Sequence, residues 1–90
     1  MYTVVVFEKG AVDDIEVVRS AVDAMNNGAW PDPLITNPGY SVRISRFKSP
    51  PLTVYAKGAI DDEAALRKEL DSGLAVIQLN PGYTIEFFEC

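Results

Sequence analysis

The chain contains no histidine, and its single cysteine, Cys90, stands at the last position. Histidine is the usual general base at neutral pH and the commonest protein ligand of transition metals. One cysteine can form neither an internal disulfide nor a thiolate metal cage within one copy. The sequence also has no phosphate-binding glycine loop and no dinucleotide fingerprint. We therefore predict a protein that is not an enzyme and that uses no metal and no cofactor.

Positive charge and long apolar runs are also scarce. The chain has 13 acidic and 8 basic side chains, a formal net charge of −5. This charge disfavours nucleic acids and anionic membranes as partners. Apolar runs such as Val4 to Phe7 are far shorter than the roughly 20 residues of a membrane helix. Because no basic and apolar leader opens the sequence, we expect a cytoplasmic protein.

The sequence does contain an internal duplication. The segment Lys-Gly-Ala-Val-Asp-Asp at residues 9–14 returns as Lys-Gly-Ala-Ile-Asp-Asp at residues 57–62. The segment Asn-Pro-Gly-Tyr at residues 37–40 returns unchanged at residues 80–83. Because the same signals occur twice in the same order, each copy is expected to be one supersecondary unit whose apolar face is completed by the other.

We place repeat 1 at residues 1–48 and repeat 2 at residues 51–90. A chain of 90 residues, of which 48% are hydrophobic, is long enough for one core and too short for two. The two repeats are therefore predicted to form a single domain over residues 1–90.

Each repeat reads as a strand, a helix and a hairpin. In repeat 1 a strand over Tyr2 to Phe7 precedes a helix that is capped by Asp13 and ended by Asn26-Asn27-Gly28. In repeat 2 a strand over Leu52 to Ala56 precedes a helix capped by Asp61 or Asp62, about one turn shorter than the first. Asn-Pro-Gly then predicts a type II turn in both.

The hairpin is complete only in repeat 2, where Ala75 to Leu79 is an apolar strand before the turn. Repeat 1 has Trp30-Pro31-Asp32-Pro33 and only Leu34 to Thr36 at the corresponding place. Two tandem βαβ(β) repeats predict the α+β class. The arrangement we expect is a ferredoxin-like two-layer sandwich, an antiparallel sheet with two helices on one face.

Acidic pairs and lysines mark the same turn in both repeats. Asp13-Asp14 and Asp61-Asp62 stand at the helix starts, where capping explains them better than catalysis or metal binding does. Lys9 and Lys57 could hold a phosphate or carboxylate at the helix start, and we keep them as candidate ligand-binding residues. The neighbouring aspartates argue against such an anion.

Candidate partner-binding residues lie in repeat 1 and at the last strand. Trp30 stands in a proline-rich connection that breaks the repeat, and it either anchors this connection to the core or contacts a partner. The remaining candidates are a basic stripe and two aromatic residues: Arg43, Arg46, Lys48, Tyr40 and Phe88. The basic stripe is equally well explained as protection of an edge strand.

These observations favour a non-enzymatic protein-binding module that acts through a sheet edge, the Trp30 connection and its charged faces. A small acidic inhibitor or adaptor is the expected type, for example a virus-encoded inhibitor of a host system. The partner would be another protein, and a homodimer formed by strand addition is also open. The alternative is a regulatory domain that senses a small ligand and pairs its sheets in a ferredoxin-like manner.

Overall fold

The computed structural model of the chain describes residues 1–30 and 33–89. Within this part of the chain the elements follow the predicted order. They are β1 (Tyr2–Glu8), α1 (Ile15–Asn26), β2 (Val42–Phe47), β3 (Leu52–Tyr55), α2 (Glu63–Asp71), β4 (Leu74–Leu79) and β5 (Ile85–Phe88). The segment Leu34 to Thr36 forms no strand, so repeat 1 has no counterpart of β4 in its described residues.

Both helices begin at capping aspartates. The side chain of Asp14 accepts a hydrogen bond from the Glu16 N–H at 3.0 Å, and that of Asp62 accepts one from the Ala65 N–H at 3.0 Å. The prediction of Asp13 as the first cap is therefore wrong by one residue. The prediction of a shorter second helix is confirmed, since α2 has 9 residues and α1 has 12.

The strands form two sheets. One sheet has the order β2-β1-β4, in which β1 is antiparallel to β2 and parallel to β4. The other sheet consists of β3 and β5, which are antiparallel. The strand β4 of repeat 2 thus pairs with β1 of repeat 1. This pairing joins the two repeats, because β1 is the central strand of the larger sheet.

The two faces of β1 are covered by different helices. Val5 and Phe7 share a buried cluster with Val18 of α1. Val4 and Val6 share another with Leu66 of α2. Because neighbouring side chains of a strand point to opposite faces, α1 and α2 lie on opposite faces of the larger sheet.

The α+β class is confirmed, but the ferredoxin-like arrangement is not. The structure differs from it in having two sheets and in placing the helices on opposite faces of the larger sheet. The physical reason is that β1 is apolar on both faces, so each face requires its own cover. No helix in residues 1–30 and 33–89 is long and apolar enough to cross a membrane.

The two repeats nevertheless pair their strands in the same register, β1 with β2 and β3 with β5. In repeat 1, Phe7 lies opposite Val42, and in repeat 2, Tyr55 lies opposite Ile85. Aligning Lys9 with Lys57 and the two Asn-Pro-Gly-Tyr segments places these two pairs at equivalent positions. Each repeat is therefore the same antiparallel pair of strands with its own helix.

Candidate functional site

The two duplicated motifs of repeat 1 contact each other in the folded chain. The side-chain amide of Asn37 donates to the Gly10 carbonyl oxygen at 2.6 Å and to the Asp13 carboxylate at 2.9 Å. The Asn37 backbone N–H donates to the Ala11 carbonyl oxygen at 2.8 Å. These bonds tie the turn after β1 to the Asn-Pro-Gly-Tyr turn before β2. They also explain why Asp13 is not the helix cap.

Repeat 2 has the same network and adds a charge from repeat 1. The Asn80 amide donates to the Gly58 carbonyl oxygen at 2.6 Å and to the Asp61 carboxylate at 2.7 Å. Lys9 forms an ion pair with the other oxygen of Asp61. The hydrogen bond from Asn80 is the main cause that lowers the pKa of Asp61, and the Lys9 ammonium lowers this pKa further.

The tyrosine of each Asn-Pro-Gly-Tyr segment lies over the glycine of the paired turn. Gly10 and Gly58 have φ of +91° and +94°, which only glycine adopts without strain. A Cβ atom would lie 3.3 Å from the Tyr40 hydroxyl at Gly10 and 3.0 Å from the Tyr83 hydroxyl at Gly58. The structure thus gives Tyr40, a predicted partner contact, a packing role within its own repeat, while part of its ring stays exposed.

The predicted anion site at the duplicated lysines is not assembled by this geometry. Lys9 is already paired with Asp61, and Asp62 caps the adjacent helix. An anion at this point would meet both carboxylates. Lys57 is exposed, and in the described part of the chain no ion pair includes it. Ligand binding at Lys9 or Lys57 stays a prediction.

The predicted basic stripe is divided between two faces. Arg43 and Arg46 are three residues apart in β2, so their side chains point to opposite sides of the sheet. Arg43 donates to the Ile85 carbonyl oxygen at 2.9 Å and thereby links β2 to the smaller sheet. Arg46 lines a hollow next to Trp30, and Lys48 follows the end of β2. Only Arg46 is close to Trp30.

Trp30 is not an anchor. Trp30 is 99% exposed, so its ring is not packed on the core. Pro31 and Asp32, which follow it, lie outside the described residues. Ile35, in the same connection, is 86% exposed. Two large apolar side chains in one connection therefore face solvent.

Trp30 borders a hollow of ≈ 550 Å³ between the end of α1 and β2. The walls are mainly apolar and include Met25, Leu34 and Ile44, with one charged group from Arg46. We call four residues that line this hollow, together with the exposed Ile35 next to Leu34 in the chain, the Trp30 surface: Trp30, Leu34, Ile35, Ile44 and Arg46. Such a combination of an exposed aromatic ring, apolar walls and one cation is suited to protein recognition and supplies no group for acid-base or nucleophilic chemistry.

Phe88 lies elsewhere, on the outer face of the smaller sheet. It is directly opposite Leu52, and Val54 follows on the same face. All three side chains are about half exposed. Sequence reasoning named Phe88 but missed Leu52 and Val54, whose alternation with Thr53 and Tyr55 was the available signal. Ile35 and Ile44 were also missed, because nothing local indicates that their side chains stay uncovered.

Residues 1–30 and 33–89 contain no group of three or more His, Cys, Asp or Glu side chains that could hold a metal ion. Cys90 lies outside the described residues. No family model, no curated protein and no solved structure matches this chain.

Proposed function

We propose that the chain is a non-enzymatic module that binds another protein through the Trp30 surface. The observation that carries this proposal is the 99% exposure of Trp30 beside an apolar hollow. Exposed tryptophan has little to contribute to folding, whereas tryptophan is enriched among the residues that dominate binding energy at interfaces.

The composition of the surface indicates what the partner presents. An apolar side chain of the partner would fill the hollow between Trp30 and Ile44, and Ile35 would extend the contact. Arg46 would pair with a carboxylate of the partner at the rim, where a charge mainly sets orientation and the rate of association. Arg43, Lys48, Tyr40 and Phe88 stay predictions as partner contacts outside this surface.

A small acidic inhibitor or adaptor of the cytoplasm, such as viruses encode, fits this mode of action. Size and net charge motivate that part of the proposal. The ferredoxin-like sandwich is not needed for it, since the Trp30 surface depends only on α1, β2 and the connection between them. The alternative of a ligand-sensing domain would be favoured by a stoichiometric small molecule that remains bound in native mass spectrometry.

The test uses Trp30 as both target and reporter. The immobilised chain captures proteins from the cells that produce it, and the captured partner is then purified and titrated against the chain. Trp30 is the only tryptophan of the chain, so its emission reports burial of this side chain directly, provided that the partner's own emission is subtracted. Binding at the Trp30 surface would shift the emission to the blue and protect it from acrylamide.

Two variants and one control complete this test. Trp30→Ala is expected to weaken partner binding by about 2 kcal/mol or more, which is about 30-fold in Kd. Ile35→Ala should weaken it less. Leu52→Ala, on the smaller sheet, should leave it unchanged. Equal affinity of wild type and Trp30→Ala would refute this function.

A further inference from the structure

The two repeats expose equivalent positions to a very different extent. Aligning Lys9 with Lys57 makes Val4 equivalent to Leu52 and Val6 equivalent to Val54. Val4 and Val6 are 1% and 7% exposed, whereas Leu52 and Val54 are 57% and 49% exposed. The same face of the same unit is therefore covered in repeat 1 and open in repeat 2.

In repeat 1 this face is covered by Leu66 of α2 and Ile85 of β5, and the edge of β1 is paired with the strand β4. It runs parallel to β1, and its side chains Ala75 and Ile77 join the buried cluster that contains Val4 and Val6. Two further backbone hydrogen bonds lie near the two ends of the pairing between β1 and β4. The Thr3 N–H donates to the Gly73 carbonyl oxygen at 2.9 Å, and the Lys9 N–H donates to the Leu79 carbonyl oxygen at 2.8 Å.

The equivalent edge of β3 carries no strand in the part of the chain that the structure describes. The register of β3 on β5 repeats that of β1 on β2, so the N–H groups of Thr53, Tyr55 and Lys57 correspond to those that face β4 in repeat 1. They point away from β5. An edge with free N–H and C=O groups is a template for another strand.

We infer that this free edge of β3 binds an extended, apolar segment of a partner protein that runs parallel to β3, as β4 runs parallel to β1. Alternate side chains of this segment would pack beside Leu52 and Val54, as Ala75 and Ile77 pack beside Val4 and Val6. The segment would be uncharged at these positions. Pro51 has no N–H, so pairing would extend from Thr53 to Lys57.

A second copy of the chain fits this edge less well than a separate segment does. The described strands of a second copy are already paired in its own sheets. Two β3 edges related by a two-fold axis would pair antiparallel, whereas the equivalent edge of β1 receives a parallel strand. The inference rests on the proposed function only in assigning the edge to a protein-binding module, and it uses a surface separate from Trp30.

The probe is a synthetic peptide with the sequence of residues 73–80, Gly-Leu-Ala-Val-Ile-Gln-Leu-Asn, extended by lysines at its N-terminus for solubility. Its binding to the full chain is followed by amide chemical shifts in NMR. We expect shifts that centre on Thr53, Tyr55 and Lys57. Shifts that centre on β2 or β5, or the absence of saturable binding, would overturn the inference.

Two proline variants of the peptide test the direction of pairing. In the folded chain the Val76 N–H points away from β1 and donates to the Glu69 carboxylate at 2.7 Å, so the N–H of Ile77 faces β1. The peptide with Val76→Pro should therefore retain most of its affinity. The peptide with Ile77→Pro should lose at least about tenfold, because it lacks a donor to the edge. The reverse order would contradict parallel pairing.

Variants of the protein separate this edge from the Trp30 surface. Val54→Lys places a charge beside the edge and should weaken peptide binding at least about tenfold, while far-ultraviolet circular dichroism confirms folding. Ile35→Lys and Trp30→Ala should leave peptide binding unchanged. If Ile35→Lys weakens peptide binding and Val54→Lys does not, the inference is wrong. A dimer that dissociates when the peptide is added would show that a second copy is the occupant and would also overturn it.

Discussion

Repeat 1 and repeat 2 share their local structure and differ in what surrounds it. In both repeats, hydrogen bonds from an asparagine side-chain amide join the Lys-Gly-Ala turn to the Asn-Pro-Gly-Tyr turn. The lengths of equivalent hydrogen bonds agree within 0.2 Å. The strand β1, however, lies between two partners and is buried on both faces, whereas β3 has one partner and an open outer face.

This contrast shows that the paired turns hold each repeat together, whereas the strand β4 joins the two repeats into one sheet. The asparagine network is closed within each repeat, so it forms wherever the two motifs are present. The position of β4 requires contacts with the other repeat, and the chain supplies one such strand in the described residues. One strand cannot complete both repeats, and β3 is left open.

The outer edges of β4 and β3 differ in protection. The outer edge of β4 is covered by Glu69, whose carboxylate accepts from the Val76 N–H at 2.7 Å and from Arg19 at 2.5 Å. Arg19 belongs to α1 and Glu69 to α2, so this contact joins the helices around the edge of the sheet. No such side chain covers β3 in the described residues, which supports its assignment as a receiving edge.

The largest expected difference between the repeats concerns Phe7 and its equivalent Tyr55. Phe7 is 2% exposed between α1 and the sheet, so Phe7→Ala should lower the free energy of unfolding by about 3–5 kcal/mol. Tyr55 is half-buried, and Tyr55→Ala should cost about 1–2 kcal/mol. Urea unfolding with an unchanged m-value measures both. Equal losses would mean that the smaller sheet is as well covered as the larger one.

A smaller effect is expected at the duplicated glycines, where the repeats should behave alike. Gly10→Ala and Gly58→Ala each force a side chain into a left-handed conformation, at a cost of about 1–3 kcal/mol. Gly58→Ala should cost more, because its Cβ would lie 3.0 Å from the Tyr83 hydroxyl and that of Gly10 3.3 Å from the Tyr40 hydroxyl.

The control for the glycine prediction is removal of the hydroxyl. Adding Tyr83→Phe to Gly58→Ala should recover part of the lost stability, since the nearest atom to the new Cβ is then the ring carbon at 3.5 Å. Lack of recovery would assign the whole cost to the backbone. Thermal unfolding of the single and double variants decides between these outcomes.

Local features could be predicted from the sequence because neighbouring residues determine them. The two Asn-Pro-Gly turns contain Gly39 and Gly82 at φ of +85° and +83°, as the type II turn requires. The helix ends and the five strands follow from capping residues and apolar periodicity. The capping residue of α1 was misplaced by one position, because the bond from Asn37 to Asp13 comes from a distant part of the chain.

The sheet topology and the exposed surfaces could not be predicted in the same way. The pairing of β4 with β1 rather than with its own repeat depends on which edge is free after both repeats fold. The exposure of Trp30 depends on how the connection passes α1 and β2, which no local pattern encodes. The division of the basic stripe could have been predicted from the sequence. Arg43 and Arg46 are three residues apart, and side chains at that spacing in a strand point to opposite faces.

The smallest expected effect concerns the charge that joins the repeats, the ion pair of Lys9 with Asp61. The folded-state pKa of Asp61 is lowered, first by the Asn80 hydrogen bond and then by Lys9. A carboxyl with a lowered pKa stabilises the folded chain above its ordinary pKa, and this contribution disappears as pH falls through the folded-state pKa. The difference in stability between wild type and Asp61→Asn should therefore be constant near neutral pH and shrink below about pH 4.

NMR titration of the Asp61 carboxyl carbon separates the two causes. Asn80→Ala and Lys9→Met should both raise the pKa of Asp61 towards its ordinary value. Asn80→Ala should raise it more, because the hydrogen bond from the Asn80 side chain is the larger cause of the lowered pKa. A larger rise in Lys9→Met would make the contact between the repeats, rather than the turn within repeat 2, the main control of this carboxylate. The exposed position of the ion pair predicts that salt weakens the Lys9 effect and leaves the Asn80 effect in place.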